Sequence, residues 1–283
     1  MISDDLQAVV ESLAGRYDIG GAPPPAPEDM REMVNLVRAV LFPGFFGPKG
    51  TYNTGVAVER LHALISRIAN GVADAFIKRL PTIQDVLMSD VDAEYNGDPA
   101  AGNRAEIIAC YPAIKAITNY RVAHELLKLG VPLIPRVVTE MAHSETGIDI
   151  HPGAEIGHHF MIDHGTGVVI GETCIIGNNV RIYQGVTLGA KSFPLDADGN
   201  PMKGIPRHPI LEDDVIVYSN ATILGRVTIG RGSIIGANMW VNKDCEPYSK
   251  VYNIVKGSCK PSAEPSSLEL CRGAAEARQS QGS

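Results

Sequence analysis

Three histidines and an aspartate fall within seven positions of the stretch HHFMIDHGTG, as His158, His159, Asp163 and His164. Imidazole is the side chain whose ordinary charge change lies nearest neutral pH, so such a cluster can move a proton or ligate a metal. A second chemically rich pair, Arg207 and His208, closes the stretch AKSFPLDADGNPMKGIPRHP. A guanidinium there is a planar fork suited to a carboxylate. Both groups interrupt a region otherwise given to aliphatic residues and glycines, so a regular scaffold must place them.

That scaffold has a period of six. After Gly147 an aliphatic residue recurs at Ile150, Ile156 and Ile162, then after a two-residue slip at Ile170, Ile176, Ile182 and Leu188, and after a longer interruption at Leu211, Val217, Ile223, Ile229, Ile235 and Val241. The residue two before the marker is small or medium at Cys174, Val180, Val186, Ala221, Val227 and Ser233, as a tight corner requires. Strands this short bury one inward side chain each and cannot hold a core alone; stacked coils can. The pattern predicts a parallel β-helix over 147–259 in preference to a β-sandwich of short strands. The slip falls where the histidines are, as if one corner were opened to present Asp163 and His164. The stretch 190–209 breaks the phase and is rich in turn residues, so it must leave the wall as a long loop, with Arg207 and His208 set to reach a neighbour.

Residues 1–146 follow a different grammar. EDMREMVNLVRAVLF puts Met30, Met33, Val34, Val37 and Leu41 on one helical face, and GVAVERLHALISRIANGVADAFIKRL continues the period. Breaks at GGAPPPAP, FPGFFGPKG, NGDPAAGN and GVPLIP leave room for five or six helices up to about Met141. The last stretch, 260–283, loses the repeat and gains Ser, Pro, Ala and Glu, which predicts a mobile tail. The fold class is therefore α+β: a helical N-terminal domain, a β-helix with an extended loop, and a tail.

Composition narrows the function. The 25 basic and 32 acidic residues give a net charge of −7, which argues against nucleic acid or an anionic membrane as partner. Five cysteines without a C-x-x-C pair suggest neither a disulfide framework nor a zinc knuckle, and read as reduced thiols. Acids stand at the N-terminus where a signal peptide needs bases, and no apolar run nears the roughly 20 residues that span a bilayer, so a cytoplasmic location is expected.

The segments IDIHPGAEIG, MIDHGTGVVIGE, YQGVTLG and PRHPILEDDV, in this order, resemble serine O-acetyltransferase, a hexapeptide-repeat acyltransferase. The resemblance runs from the end of the helical part to Lys256 and implies a left-handed β-helix. It also implies acetyl transfer from acetyl-CoA to the L-serine hydroxyl, giving O-acetylserine for cysteine biosynthesis. A hydroxyl is a poor nucleophile until its proton is removed, and His164 is placed to be that base. Asp149, fifteen residues earlier and so close to one 18-residue coil away, is the expected carboxylate partner. No Ser or Cys stands in a setting that would activate it as an enzyme nucleophile, so direct attack is preferred.

Further assignments rest on the resemblance. Asp98, in NGDPAA, and Asp163 are expected to hold the serine ammonium, and Arg207 with His208 its carboxylate. Backbone groups near Gly189, Ala190, Ser219 and Gly225 are expected along the pantetheine arm, with Lys243 and Lys256 meeting the phosphates. The family often carries Gly-Gly where this chain has Gly189-Ala190. A prism lacks a pocket of its own, so the site is expected between subunits of a homotrimer or a dimer of trimers. L-cysteine is the expected feedback inhibitor. Many relatives dock a C-terminal isoleucine into O-acetylserine sulfhydrylase; this sequence ends in RQSQGS, which counts against that complex.

Other readings fit the residues less well. His159 and His164 have the spacing of two zinc ligands in γ-type carbonic anhydrases, but the third ligand of that family, about 36 residues upstream, would fall at Ala123, and nearby His124 stands in the helical segment NYRVAHELLKLG, so no metal is expected. His158 and His159 read as corner residues, and His151 as a packing or supporting one. Asp98 has the alternative of capping the next helix. A trimerising module without activity leaves Asp149, Asp163, His164, Arg207 and His208 unexplained. A hexapeptide acetyltransferase for another hydroxyl acceptor is the alternative activity.

Overall fold

The computed structural model describes residues 3–13, 23–47 and 53–252. The stretch 260–283, Lys256, Cys259 and Cys271 lie outside the described residues. Among the described residues eight helices come first: α1 (Asp4–Leu13), α2 (Pro27–Leu41), α3 (Thr54–Ile68), α4 (Ala73–Ile77), α5 (Leu80–Gly97), α6 (Arg104–Cys110), α7 (Pro112–Lys128) and α8 (Ile134–Thr146). Seven of these lie between Pro27 and Thr146, where the periodicity allows five or six. The extra one arises where the continuous apolar period is cut: Gly71, at φ 81, ends α3 and starts α4, and a proline opens α5 in its first turn. No described helix is long and apolar enough to cross a membrane.

Helix gives way to strand at Gly147, which closes α8 in the left-handed conformation at φ 72. Fourteen strands of two or three residues then wind through three parallel sheets. One sheet stacks β1 (Asp149–Ile150), β4 (Val169–Ile170), β7 (Thr187–Gly189), β10 (Thr222–Leu224) and β13 (Trp240–Val241). The second stacks β2 (Glu155–Ile156), β5 (Ile175–Ile176), β8 (Ile210–Leu211) and β11 (Thr228–Ile229). The third stacks β3 (Met161–Asp163), β6 (Arg181–Tyr183), β9 (Ile216–Val217), β12 (Ile234–Ile235) and β14 (Lys250–Val251). This is the parallel β-helix that the six-residue period requires, and it matches the left-handed form of the hexapeptide-repeat class. Every marker aliphatic except Ile156 is buried, and so are the small residues two places before them.

The register records both interruptions. Val169 pairs with Thr187, eighteen positions on, whereas Asp149 pairs with Val169, twenty on. The two additional residues lie in the corner from His164 to Val168, between the third sheet and the first. Ile175 pairs with Ile210, thirty-five on, because the loop over 190–209 leaves the wall between β7 and β8.

An open sheet edge exposes unpaired N–H and C=O groups. Here the first coil's edge is closed by helix side chains. From α5, Ser89 Oγ accepts from the His159 N–H (3.1 Å), Asp90 Oδ1 from the Phe160 N–H (2.9 Å) and Glu94 Oε1 from the Ile162 N–H (3.0 Å). From α7, Arg121 donates to the Ile156 and Gly157 carbonyls (both 2.6 Å) and Tyr120 Oη to the Ala154 carbonyl (2.6 Å). Each buried group left unpaired would cost about 1–3 kcal/mol, so this seam ties the helices to the prism as one unit that ends at Tyr252.

Candidate active site

The corner between the third sheet and the first carries His164. Its φ of 57 puts it in the left-handed region, and the later turns of that corner hold Gly185, Asn220 and Asn238 in the same region, so a corner position explains the backbone. Glycine and asparagine take that conformation readily; here an imidazole occupies it, its side chain 73% exposed, with Nε2 3.9 Å from Asp163 Oδ1. Asp163 ends β3, so strand pairing with Tyr183 of β6 fixes its direction.

Asp98 reaches the same corner from the end of α5. Its Oδ2 accepts from Tyr111 Oη (2.5 Å) and its Oδ1 from the Ala100 N–H (2.8 Å). These bonds, the tyrosine first, hold its carboxyl below the usual range, and His164 adds to the effect. Asp98 does not cap α6, whose N-cap is Asn103. One turn earlier in α5, Glu94 is 1% exposed. Burial, helped by the charges of Asp163, Asp90 and Asp98, pushes its carboxyl up to about 8 against the pull of the Ile162 N–H. Asp90 is likewise pushed up by burial, to about 6, although Arg121 opposes it.

The next corner, between the first sheet and the second, carries Arg207 and His208. Both are held to the coil before them. Arg207 Nη2 donates to Glu172 Oε2 (2.7 Å), and Thr173 Oγ1 accepts from the backbone N–H groups of both Arg207 (2.9 Å) and His208 (3.1 Å). The loop is thereby stitched to the coil before it. His208 is buried, its ring laid on Gly171, where a Cβ would come within 2.1 Å of it. Its Nδ1 accepts from the Thr173 N–H (3.1 Å), which leaves Nε2 as the protonated nitrogen of the neutral ring. Burial first, then Arg207, lowers its pKa to about 4, so it is neutral at physiological pH.

His151 belongs to this corner too. Its Nδ1 accepts from the Gly153 N–H (3.0 Å), and burial, then the charge of Arg136, lowers its pKa. Gly189 and Ala190, where the loop departs, lie at this corner with Gly225, whose N–H donates to the Gly189 carbonyl (3.0 Å). Lys243 follows β13 at the same corner and is exposed. Ser219 stands instead at the corner of His164.

The structure thus brings Asp98, Asp163 and His164 together, and Arg207, His208, Gly189, Ala190, Gly225 and Lys243 along a separate corner. The first sheet lies between the two. Asp149 starts β1 in that sheet and turns toward α8, with Oδ1 3.8 Å from Arg136 Nη1; it is not within 4 Å of His164. Among the described residues, Glu140, His143 and Asp149 are the one group of three metal-capable side chains whose donor atoms lie within 4.8 Å of each other. His158 and His159 occupy the third corner with exposed side chains, and their N–H groups donate to Asn178 and Ser89. Sequence reasoning passed over Glu94, Tyr111 and Glu172. Asp90, Glu94 and Asp98 recur every four residues, a carboxylate stripe on one helical face that was legible; nothing local marked Tyr111.

Residues 208–238 match the family described as bacterial transferase hexapeptide (six repeats). A plasmid serine acetyltransferase of Synechococcus elongatus is 59% identical over 185 residues, which are 65% of this chain and 58% of that one. Serine acetyltransferase 1 of Entamoeba histolytica, solved in complex with L-cysteine, is 35% identical over 87% of this chain and 94% of its own, with a TM-score of 0.72. The chain belongs to the serine acetyltransferase family. It spans about three-fifths of the Synechococcus relative. A further family member, solved in complex with CoA, is 27% identical over 77% of this chain and 79% of its own, with a TM-score of 0.57.

Proposed function

We propose that this chain transfers the acetyl group of acetyl-CoA to the hydroxyl of L-serine, giving O-acetylserine and CoA, by direct attack with His164 as general base. The observation that carries this reading is the exposed imidazole at a corner fixed by the β-helix, flanked by Asp163 and Asp98. In the reaction His164 takes the serine proton as the oxygen attacks the thioester carbonyl carbon. The tetrahedral species collapses with cleavage of the C–S bond, and the imidazolium returns the proton to the departing thiolate. Asp149 supports the imidazolium once the His164 ring turns from Asp163 toward it, a rotation open to a side chain so exposed.

Asp98 and Asp163 hold the serine ammonium. The carboxylate needs a cationic fork, and Arg207 lies beyond the first sheet on the same chain, so a second copy in a trimer, or in a dimer of trimers, supplies Arg207 and the Nε2–H of His208. Backbone groups at Gly189, Ala190 and Gly225 line the pantetheine arm, with Lys243 toward the phosphates. L-Cysteine has the same ammonium and carboxylate as serine, so it competes for these groups as an inhibitor.

The test is CoA release from acetyl-CoA with L-serine and with a panel of other hydroxyl acceptors. Serine-dependent release that His164→Ala lowers at least about 100-fold, the scale of a general base, is expected. Release with another acceptor but not with serine would overturn the substrate.

A further inference from the structure

Glu94 joins the two elements that carry the ammonium-binding carboxylates. Its backbone carbonyl accepts from the Asp98 N–H (2.9 Å) at the end of α5. Its side-chain Oε1 accepts from the Ile162 N–H (3.0 Å), one residue before Asp163 and two before His164. Among the described residues no strand pairs with that edge of β3, which pairs on its other side with β6. Gly97 lets the helix end close to the strand, for a Cβ there would come within 2.2 Å of Met161 Sδ.

We infer that Glu94 is a positioning residue for serine: a buried strut that fixes Asp98 relative to Asp163 and His164. This rests on the acceptor reading above. Three carboxyl groups close together cannot all carry charge cheaply in a buried setting. The buried one is neutral at pH 7, since burial pushes it up to about 8, so the pocket presents two negative charges to one ammonium and the strut adds none. A neutral acid still accepts the Ile162 N–H through its carbonyl oxygen.

Two variants separate position from charge. Glu94→Gln keeps a neutral acceptor on a side chain of the same length. Glu94→Met keeps the volume and removes the acceptor, leaving the Ile162 N–H unpaired. Steady-state kinetics with L-serine and acetyl-CoA should show KM for serine raised on the order of 10-fold in Glu94→Met, with KM for acetyl-CoA unchanged and both near wild type in Glu94→Gln. Amide hydrogen exchange over 160–165 should be faster in Glu94→Met and unchanged in Glu94→Gln, at a temperature where both are folded by circular dichroism. Equal serine KM and equal exchange in the two variants would overturn the strut, as would a loss in Glu94→Gln as large as in Glu94→Met. Wild-type protein without serine-dependent CoA release would count against the acceptor reading, and hydrogen exchange would then decide the strut by itself.

Discussion

Arg207 commits one edge of its guanidinium to Glu172, with Nη2 2.7 Å from Oε2. An ion pair of this kind orients a fork whose remaining N–H groups can meet a substrate carboxylate, and lysine, a point charge, cannot reproduce that geometry. Arg207→Lys should raise KM for L-serine about tenfold while leaving any slow reaction with 2-aminoethanol, which has no carboxylate, at the wild-type rate. Initial rates with the two acceptors decide it. An equal loss with both would remove Arg207 from carboxylate binding.

His208 depends on the absence of a side chain at Gly171. A methyl group added there would meet its ring at 2.1 Å, and a ring packed against backbone has little room to give. Gly171→Ala should therefore cost about 1–3 kcal/mol in urea unfolding, the usual scale of overpacking, and raise KM for serine by displacing Nε2–H. Unchanged stability would mean that the ring is looser than its burial implies.

The proposed division of the site between copies predicts complementation. His164→Ala and Arg207→Ala should each be nearly inactive alone. After the two are mixed, unfolded and refolded together, interfaces that pair an intact His164 with an intact Arg207 should form, and activity should return in part. No recovery in assemblies shown by mass spectrometry to be mixed would place both residues of one site in one chain.

The six-residue period was enough to place the prism, its buried faces and its interrupted corner, because each marker aliphatic has one environment available to it, the inside of a coil. The helices were less legible. Their apolar faces show, but Gly71 and the α5 proline divide a period that reads as continuous. At the site, the motif residues were legible as chemistry and their partners were not. Asp149 lies beside Arg136, and Arg207 is held by Glu172; both depend on side chains brought close by coil stacking or by α8, which sequence spacing does not encode.

Glu94 also makes a prediction about stability. Its folded-state pKa, about 8, lies above the ordinary 4.5 of an unfolded glutamate. The folded state therefore holds the proton more tightly: its contribution is fully present below about pH 4.5 and is lost as pH rises through 8, at about 1.4 kcal/mol per pH unit within that window. The charged groups around it are Asp90 on α5, Asp98 just after that helix, Asp163 on β3, Arg121 of α7 paired with Asp90, and Arg181 of β6 close to Gly97. Asp90, pushed up to about 6, has the same sign and has run its course by then. His208, lowered to about 4 from 6.5, has the opposite sign, adding stability as pH rises between those values. From about pH 7 to 8 Glu94 is left as the main contributor of the three, since Asp90 and His208 are by then mostly deprotonated in both states. Urea unfolding across that interval should show wild-type stability falling with pH and Glu94→Gln nearly flat. Parallel slopes in the two proteins would mean that Glu94 is ionised in the folded state at neutral pH.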